Sequence, residues 1–459
     1  MAGGPGTTNN SDNSNERESR FSVPQWARPG DGPSERIGWR TLLRRRRLLW
    51  AVVAVVVLVA VWNNYPFIPN LWTLLFSQPS GVASAESGPG QWAMRGGSPQ
   101  GTNFSPFTFV PEGIVERAIE VDTGIRSSPV AADGVVYIGG QSRMLAIDAD
   151  TGQQIWEQPV SGPAHGVPAL ADGSLFLGTL NKRVIALDAR SGRRLWEYVG
   201  DSPFPGTVAV QDGIVYAGSR GGDVHAIDAS SGDQLWKVGL KSAAVAPVAV
   251  HDGKMFAASS AGILFIRHSG TGDKRARIRT NSALVSPPTV ADGRVYLLLD
   301  GSLLAFDSNI RELPGRYASE LIWAQLWVWG FPLPSPAEHS GLLWRLQPGN
   351  DVGAFLHTPA VTGEALYLGT GAGEVVALDP ENGDILWQLS LGEPIAAPVI
   401  AAGNVLLVAQ ENGAIRAIDR YSQEELWKVS LESPVAGPLG YAEGRVFAHT
   451  QDGKMYVIR

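Results

Sequence analysis

The stretch AIDADTGQQIW at residues 146–156 joins an aspartate that ends an apolar run, a glycine turn and a tryptophan. Similar stretches are ALDARSGRRLW at 186–196, AIDASSGDQLW at 226–236 and ALDPENGDILW at 377–387. Self-similarity at a fixed period is typical of repeat architectures, in which each copy is one supersecondary unit that packs against its neighbours. The content of one repeat therefore decides the fold.

Each repeat also contains a turn glycine ahead of a short β-rich run. The turn glycines are Gly134, Gly173, Gly213, Gly253, Gly293, Gly363, Gly403 and Gly444. Asp-Gly, as at Asp133 and Gly134, is a strong hairpin signal because the tight turn needs the positive φ that glycine accepts. The runs around the glycine, the aspartate and the tryptophan give four short strands per repeat. Eight such units predict an all-β fold, an eight-bladed β-propeller over residues 91–459.

The two ends of the repeat region predict how the ring closes. The chain stops at Arg459, after the third strand of its last blade. Residues 114–122, IVERAIEVD, precede the first complete repeat as an isolated β-rich run. We expect them to supply the missing fourth strand and so to remove the open edge of the ring.

The repeated aspartates and tryptophans are predicted to be structural. A short carboxylate accepts backbone N–H groups of the turn that follows it, and catalysis would not need six copies. A large flat side chain on the outermost strand fills the wedge between blades that splay outward. The predicted blade-docking residues are Trp156, Trp196, Trp236, Trp344, Trp387 and Trp427.

The pattern of residues 146–156 and its copies resembles the tryptophan-docking repeat of pyrroloquinoline-quinone (PQQ)-like propellers. The lead-in QWAMRGGSPQGTNFSP at 91–106 is similar to the segment that opens many of these domains. That family includes quinone-dependent dehydrogenases and non-enzymatic members such as the propeller lipoprotein of the outer-membrane β-barrel assembly machinery. The chain has no cysteine, so it lacks a lipidation site and the adjacent cysteine pair of many quinoprotein alcohol dehydrogenases.

The sequence offers no catalytic, cofactor-binding or metal-binding set of residues. Its seven histidines are scattered without metal-ligand spacing, and neither a nucleophile elbow nor a phosphate loop is present. The repeated aspartates suit turns better than one axial calcium site. We therefore expect a non-enzymatic protein without a cofactor. A membrane-bound dehydrogenase that uses PQQ with calcium is the alternative.

The first 90 residues predict a membrane anchor. Residues 1–43 are rich in Gly, Asn and Ser, which predicts a disordered cytoplasmic tail. Four arginines precede an uncharged apolar run, so residues 44–65 are predicted to form a single transmembrane helix with its arginines on the cytoplasmic side. Residues 66–90 then form a juxtamembrane linker. A cleaved signal peptide is the alternative, because Ala83-Ser84-Ala85 resembles a cleavage site.

The charge distribution disfavours nucleic acid as a partner. The chain carries a net charge of −7, although residues 1–47 are basic. The propeller region is therefore strongly acidic and repels the phosphates that dominate affinity for nucleic acid.

The fourth blade departs from the repeat. His268 stands in the aspartate position and Ala276 in the tryptophan position. The same strand is basic, and loss of the docking tryptophan predicts a more loosely packed outer edge. Its basic residues are Lys274, Arg275, Arg277 and Arg279.

The fifth blade contains an insert, residues 309–340, that is rich in aromatic side chains. Trp323, Trp327 and Phe331 follow one another at intervals of four, so one face of a short helix could carry all three. An exposed aromatic patch suits the membrane interface or a partner protein; packing on the propeller's own surface is the third possibility. The predicted partner-binding residues are Trp323, Trp327, Trp329 and Phe331.

These features predict a single-pass cell-membrane protein with a cytoplasmic N-terminus and an extracytoplasmic propeller. The propeller is expected to act as a protein-interaction scaffold in a cell-envelope complex, with an envelope or membrane protein as its partner. A sensor that reports across the membrane fits less well, because the short tail holds no signalling domain.

Overall fold

The computed structural model describes residues 50–55, 91–107, 110–121, 127–240, 244–280, 286–311, 316–332, 341–347, 349 and 353–459. The chain divides into two compact units, Met1–Val59 and Ala60–Arg459. In the first unit, residues 50–55 are helical. Within the ranges given, no helix has the length and apolar character needed to cross a membrane. The predicted tail, most of the predicted span and the linker with its alternative cleavage site lie outside the described residues.

The second unit contains eight sheets, which are the blades of a β-propeller, and the predicted eight-bladed fold is confirmed. Two strands precede the first complete blade, β1 (Phe104–Ser105) and β2 (Val115–Glu120). Blade 1 consists of β3 (Val130–Ala132), β4 (Val135–Gly139), β5 (Arg143–Asp148) and β6 (Gln154–Pro159). Blade 2 consists of β7 (Ala169–Ala171), β8 (Ser174–Gly178), β9 (Arg183–Asp188) and β10 (Arg194–Val199). Blade 3 consists of β11 (Ala209–Gln211), β12 (Ile214–Gly218), β13 (Asp223–Asp228) and β14 (Gln234–Gly239).

The next blades follow the same order, with one helix inserted. Blade 4 consists of β15 (Ala244–His251), β16 (Lys254–Ser259), β17 (Ile263–His268) and β18 (Lys274–Arg279). Blade 5 consists of β19 (Thr289–Ala291), β20 (Arg294–Leu299), β21 (Ser302–Asp307), the helix α1 (Arg316–Val328) and β22 (Leu342–Leu346). Blade 6 consists of β23 (Ala360–Val361), β24 (Leu366–Gly369), β25 (Glu374–Leu378) and β26 (Ile385–Ser390).

The last two blades also use strands from the start of the unit. Blade 7 consists of β27 (Ile400–Ala402), β28 (Val405–Ala409), β29 (Ala414–Asp419) and β30 (Glu425–Ser430), and β1 joins it in parallel beside β27. Blade 8 consists of β31 (Gly440–Ala442), β32 (Arg445–His449) and β33 (Lys454–Ile458), with β2 as its outermost strand.

Two kinds of turn recur in the blades, and both lie on the same face of the ring. The turn between the first two strands has positive φ at both central residues, 53° at Asp133 and 73° at Gly134, as a type I′ hairpin requires. The turn after the third strand is closed by the repeated aspartate. In blade 1, Oδ1 of Asp148 accepts the backbone N–H of Thr151 at 2.7 Å. Because strands alternate in direction, these turns share one face, which we call the aspartate face.

The ring closes through the chain ends, as predicted. Strand β2 pairs antiparallel with β33, with Ala118 opposite Tyr456. Beyond the strand ends, Ile114 N donates to Arg459 O at 2.8 Å and Arg459 N donates to Ile114 O at 2.9 Å. The two ends of the propeller are therefore hydrogen-bonded into one blade, which leaves no open edge between the last blade and the first.

Tryptophans connect the outer strands of neighbouring blades. Nε1 of Trp156 donates to Ala189 O of blade 2 at 2.9 Å, and its ring lies on Gly192. A Cβ on Gly192 would come within 2.7 Å of that ring. The same bond to the next blade is made by Trp196, Trp236, Trp344 and, around the closure, Trp427. Trp387 packs with its ring centroid 5.8 Å from that of Tyr367.

Residues 91–105, which we call the axial segment, run around the inside of the ring. Its backbone carbonyls accept N–H groups from the innermost strands: Ala131 to Trp92, Leu170 to Ala93, Val250 to Pro99, Val290 to Gln100, Val361 to Thr102 and Ala401 to Asn103. Those donors belong to blades 1, 2, 4, 5, 6 and 7. The axial segment therefore occupies the axis and satisfies backbone groups that a hollow ring would leave to water.

Candidate partner-binding surface on the fifth blade

The insert leaves blade 5 at the turn that closes its third strand. Strand β21 ends at Asp307, α1 spans Arg316–Val328, and β22 resumes at Leu342. In blades 1, 2, 3, 4, 6 and 7 a turn of a few residues makes this connection on the aspartate face. The insert therefore projects from the outer part of blade 5 on that face.

The four predicted partner-binding residues are all exposed. Trp323 and Trp327 lie one turn apart on α1 and are 43% and 46% exposed, whereas Trp329 is 67% exposed. Phe331 is exposed too. Because Trp323 and Trp327 also keep more than half of their surface covered, the three arrangements that the sequence left open stay predictions.

The helix ends earlier than the spacing suggested. Gly330 has φ of 83°, and its N–H donates to Trp327 O while Phe331 N donates to Leu326 O. This pair of bonds is a Schellman cap, which terminates the helix at a glycine in the left-handed region. Phe331 therefore lies beyond the cap and not on the face of α1, so the expectation that one helical face carries all three aromatics is wrong for Phe331.

The two departures from the repeat meet at one seam. The tryptophan position of blade 4 is occupied by Ala276, and its partner turn in blade 5 is the one that the insert replaces. Ile310, the start of the insert, is 9% exposed and belongs to the same core cluster as Ala276. It lies against Gly341, where a Cβ would collide with the Ile310 side chain. Ile310 therefore fills space that a docking tryptophan fills elsewhere, and the predicted loose edge is absent from this seam.

Basic side chains surround the base of the insert. Lys254 Nζ is 2.8 Å from Asp252 Oδ2 and 2.7 Å from Asn309 Oδ1 at the start of the insert. Burial lowers the pKa of Arg275, and the positive charge of Arg311 lowers it further. Burial also lowers the pKa of His268, with Arg275 adding to the effect. The base of the insert is therefore locally positive on an acidic propeller.

The axis tests the dehydrogenase alternative. The axial segment leaves two cavities of about 10 Å³ beside Arg95, each with room for about one water molecule. Within the described part of the chain, no three His, Cys, Asp or Glu side chains converge to hold a metal ion. Neither of these two cavities accommodates a tricyclic quinone.

A larger cleft of about 800 Å³ lies between blades 1 and 2. Tyr137, Trp156 and Leu170 form part of its wall, and its acidic residues Asp172 and Asp188 belong to turns of the repeat. Burial raises the pKa of Tyr137 to about 12, so the phenol stays neutral. The sequence pointed to neither this cleft nor Arg95, because both depend on contacts between separate blades.

Comparison with known proteins supports the same architecture. The sequence model of the family described as outer membrane protein assembly factor BamB matches residues 81–218, 201–270, 220–397 and 386–459. No curated protein sequence matches the chain.

Solved structures share the fold at low sequence identity. BamB from Moraxella catarrhalis is 15% identical, and the alignment covers 76% of this chain and 99% of that one with a TM-score of 0.58. The quinohemoprotein alcohol dehydrogenase from Comamonas testosteroni is 14% identical, with 82% and 81% coverage and a TM-score of 0.62. A europium-containing methanol dehydrogenase is 14% identical, with 81% and 90% coverage and a TM-score of 0.59. The family matches together span residues 81–459, and the chain therefore belongs to the family of outer membrane protein assembly factor BamB.

Proposed function

We propose that this protein is a membrane-anchored, extracytoplasmic β-propeller that serves as a non-catalytic interaction scaffold in a cell-envelope complex. The observation that carries the proposal is the cluster of exposed aromatic side chains on the insert of blade 5. Soluble monomers seldom expose such a contiguous apolar patch unless it binds something. Membership of the family of outer membrane protein assembly factor BamB supports a scaffold.

Trp323, Trp327, Trp329 and Phe331 are the proposed partner-binding residues. Buried aromatic anchors contribute about 2 kcal/mol or more each at an interface, so a few of them can dominate the affinity. The basic groups at the base of the insert, including Arg275 and Arg311, favour a partner whose apolar pockets are edged by acidic residues. The proposed partner is therefore an envelope or membrane protein with an apolar, acidic-rimmed surface.

The membrane anchor is part of the proposal. The apolar run within residues 44–65, flanked by arginines, supports a single span with a cytoplasmic N-terminus. On the propeller, the axial segment begins on the aspartate face, where Gln91 Nε2 donates to Asp133 Oδ1 at 3.3 Å. The insert projects from that same face. The start of the propeller and the proposed partner surface therefore lie on one face of the ring.

Affinity purification from detergent-solubilised membranes tests the partner surface. Replacing Trp323, Trp327 and Trp329 together with Ser is expected to leave the Tm nearly unchanged and to abolish recovery of the partner. A matched control replaces three exposed leucines of the outer strands, Leu195, Leu386 and Leu426, with Ser. The proposed site would be contradicted if the tryptophan variant still recovered every partner. It would also be contradicted if both the tryptophan variant and the leucine variant lost the partner.

The dehydrogenase alternative is tested separately. The solved dehydrogenases are similar to this chain in fold at 14% identity, and the small size of the two cavities beside Arg95 supports the non-catalytic proposal. Purified protein mixed with PQQ and calcium is expected to show no bound-quinone absorbance after gel filtration. A stoichiometric quinone spectrum with dye reduction on addition of an alcohol would replace the scaffold by an enzyme.

A further inference from the structure

Arg95 lies on the axis of the propeller. Its Nη2 donates to Thr358 Oγ1 of blade 6 at 3.0 Å. One cavity beside it is lined by residues of blades 3, 4 and 5, among them Thr207 and Pro288. The other is lined by residues of blades 1, 7 and 8, among them Ser128 and Pro438. A side chain that faces seven blades in this way stands at the centre of the ring.

No carboxylate pairs with Arg95 among the described residues. Other arginines show the usual arrangement: Arg445, for example, lies 3.1 Å from Glu116 and 2.6 Å from Asp150. Burial lowers the pKa of Arg95 to about 10, which leaves the guanidinium charged at neutral pH. Arg95 is partly buried, and a charge withdrawn from water without a counter-charge is costly to the folded state. The positive charge at the axis therefore lacks the counter-charge that normally accompanies burial.

A second polar group in the same cavity also lacks a partner. The hydroxyl of Ser128 is buried, and within the described part of the molecule its Oγ has no hydrogen bond. It lines the cavity that Arg95 and Asn103 also line. Buried polar groups are nearly always hydrogen-bonded. One acceptor in this cavity would satisfy the Ser128 hydroxyl and the guanidinium together.

The size and lining of the cavities indicate which acceptor fits. Each has about 10 Å³, which accommodates a species about the size of a water molecule. The remaining groups around Arg95 are neutral: hydroxyls of Ser98 and Thr207, and the amide of Asn103. His357 lies near enough that Arg95, together with burial, lowers its pKa. Arg95 keeps partial exposure, so ions from solution can reach it.

We infer that the propeller axis carries a binding site for a small monovalent anion about the size of chloride, held by Arg95 with help from Ser128. The anion supplies the missing counter-charge and an acceptor for the unpaired hydroxyl. It links the axial segment to the innermost strands of several blades. This site is independent of the proposed partner surface, which lies at the outer rim.

Chloride titration of the full chain in detergent tests the site. Gluconate, which is too large for the cavities, is replaced by chloride or by formate at constant ionic strength. We expect the Tm to rise by about 2 °C as chloride reaches about 100 mM and the ³⁵Cl resonance to broaden on addition of protein. A response to formate without a response to chloride would contradict a site of this size.

Arg95→Met is expected to abolish the chloride response and the broadening, and in gluconate to be at least as stable as the wild type. The matched control, Arg445→Met, removes a guanidinium that has carboxylate partners. It is expected to lower the Tm while keeping the full chloride response. Equal responses in wild type and Arg95→Met, or no response to either anion in the wild type, would overturn the inference. If Arg95→Met does not fold, Ser128→Ala is used instead. The chloride concentration that gives half of the maximal Tm rise is then expected to increase several-fold. An unchanged concentration would overturn the site.

Discussion

Tryptophans of this chain lie in two different surroundings. Trp236 is 6% exposed, donates to Ser269 O at 3.0 Å and lies against Gly272 of the next blade. Trp329 is two-thirds exposed on the insert. The sequence separates these classes correctly, because docking tryptophans follow the aspartate and glycine of the repeat at fixed spacing and the others do not.

Trp236→Ala is therefore expected to lower the free energy of unfolding by about 3 kcal/mol, because it opens a cavity between blades 3 and 4 and leaves the Ser269 carbonyl without its donor. Trp329→Ala, as the matched control, should change the free energy of unfolding by less than about 0.5 kcal/mol. Urea unfolding followed by circular dichroism measures both. Equal losses in the two variants would contradict the assignment of Trp236 to blade docking.

His225 makes stability depend on pH. It is buried, with its Nδ1 2.9 Å from the Tyr198 hydroxyl, and burial, followed by the charge of Lys237, lowers its pKa below 6.5. The unfolded chain then takes up the proton first as the pH falls. The stabilising contribution is present above about pH 6.5 and is lost as the pH falls from there toward the folded-state pKa.

The Tm is therefore expected to fall between pH 7 and pH 5, and His225→Asn should flatten that fall. The variant will be less stable at pH 7, because it loses ring contacts with Tyr198 and Phe204. What tests the proton linkage is the slope of Tm against pH. An unchanged slope in the variant would show that other groups cause the acid sensitivity.

At the scale of elements, the closing strand is the one whose loss affects the whole ring. Deleting residues 114–122 removes β2 and exposes the edge of β33, which is then free to pair with other chains. We expect aggregation or loss of cooperative unfolding, measured by light scattering and differential scanning calorimetry. Deleting residues 2–40, in the predicted tail, is the control and should leave the propeller's transition unchanged. A β2 deletion that melts like the full chain would contradict closure by this strand.

The insert shows where sequence patterns reach their limit. The spacing of Trp323 and Trp327 predicted a helix, but its end depends on Gly330, whose left-handed conformation is compatible with a turn or a cap and is not fixed by periodicity. Likewise, Ala276 and the insert looked like separate departures in blades 4 and 5. They meet at one seam because each docking tryptophan reaches the next blade, and the replacement by Ile310 is visible only once both blades are placed side by side.

At the scale of the whole molecule, the repeat fixes the blades, whereas the axis depends on the closed ring. Each Asp-Gly turn and each strand follows from residues within one repeat, so the sequence predicts eight blades and their closure. The axial segment has no periodic pattern, and its hydrogen bonds go to six blades that are far apart in sequence. Arg95 gives no sequence signal as a buried charge, because its burial results from the surrounding ring.

The proposed topology can be tested on the whole protein because the chain has no cysteine. Glu381 lies on an exposed turn of blade 6, so Glu381→Cys introduces a single thiol that should not disturb the fold. A membrane-impermeant maleimide is expected to label it in spheroplasts before lysis. Ser11→Cys, in the predicted tail, is the matched control and should be labelled only after lysis, because the arginines that precede the apolar run hold that end in the cytoplasm.

Fractionation of the same labelled cells distinguishes the anchor from the cleaved signal peptide. A transmembrane helix cannot be removed from the bilayer by high salt, since apolar contact rather than surface charge holds it there. The labelled Glu381→Cys protein should therefore stay in the membrane fraction at its full mass. A soluble labelled product that begins near Glu86 would show that the chain is cleaved after the apolar run, as in a signal peptide. Protection of the blade 6 thiol until lysis would instead place the propeller in the cytoplasm. The partner surface on the aspartate face would then have to serve a cytoplasmic partner, so this measurement also decides which compartment must be searched for it.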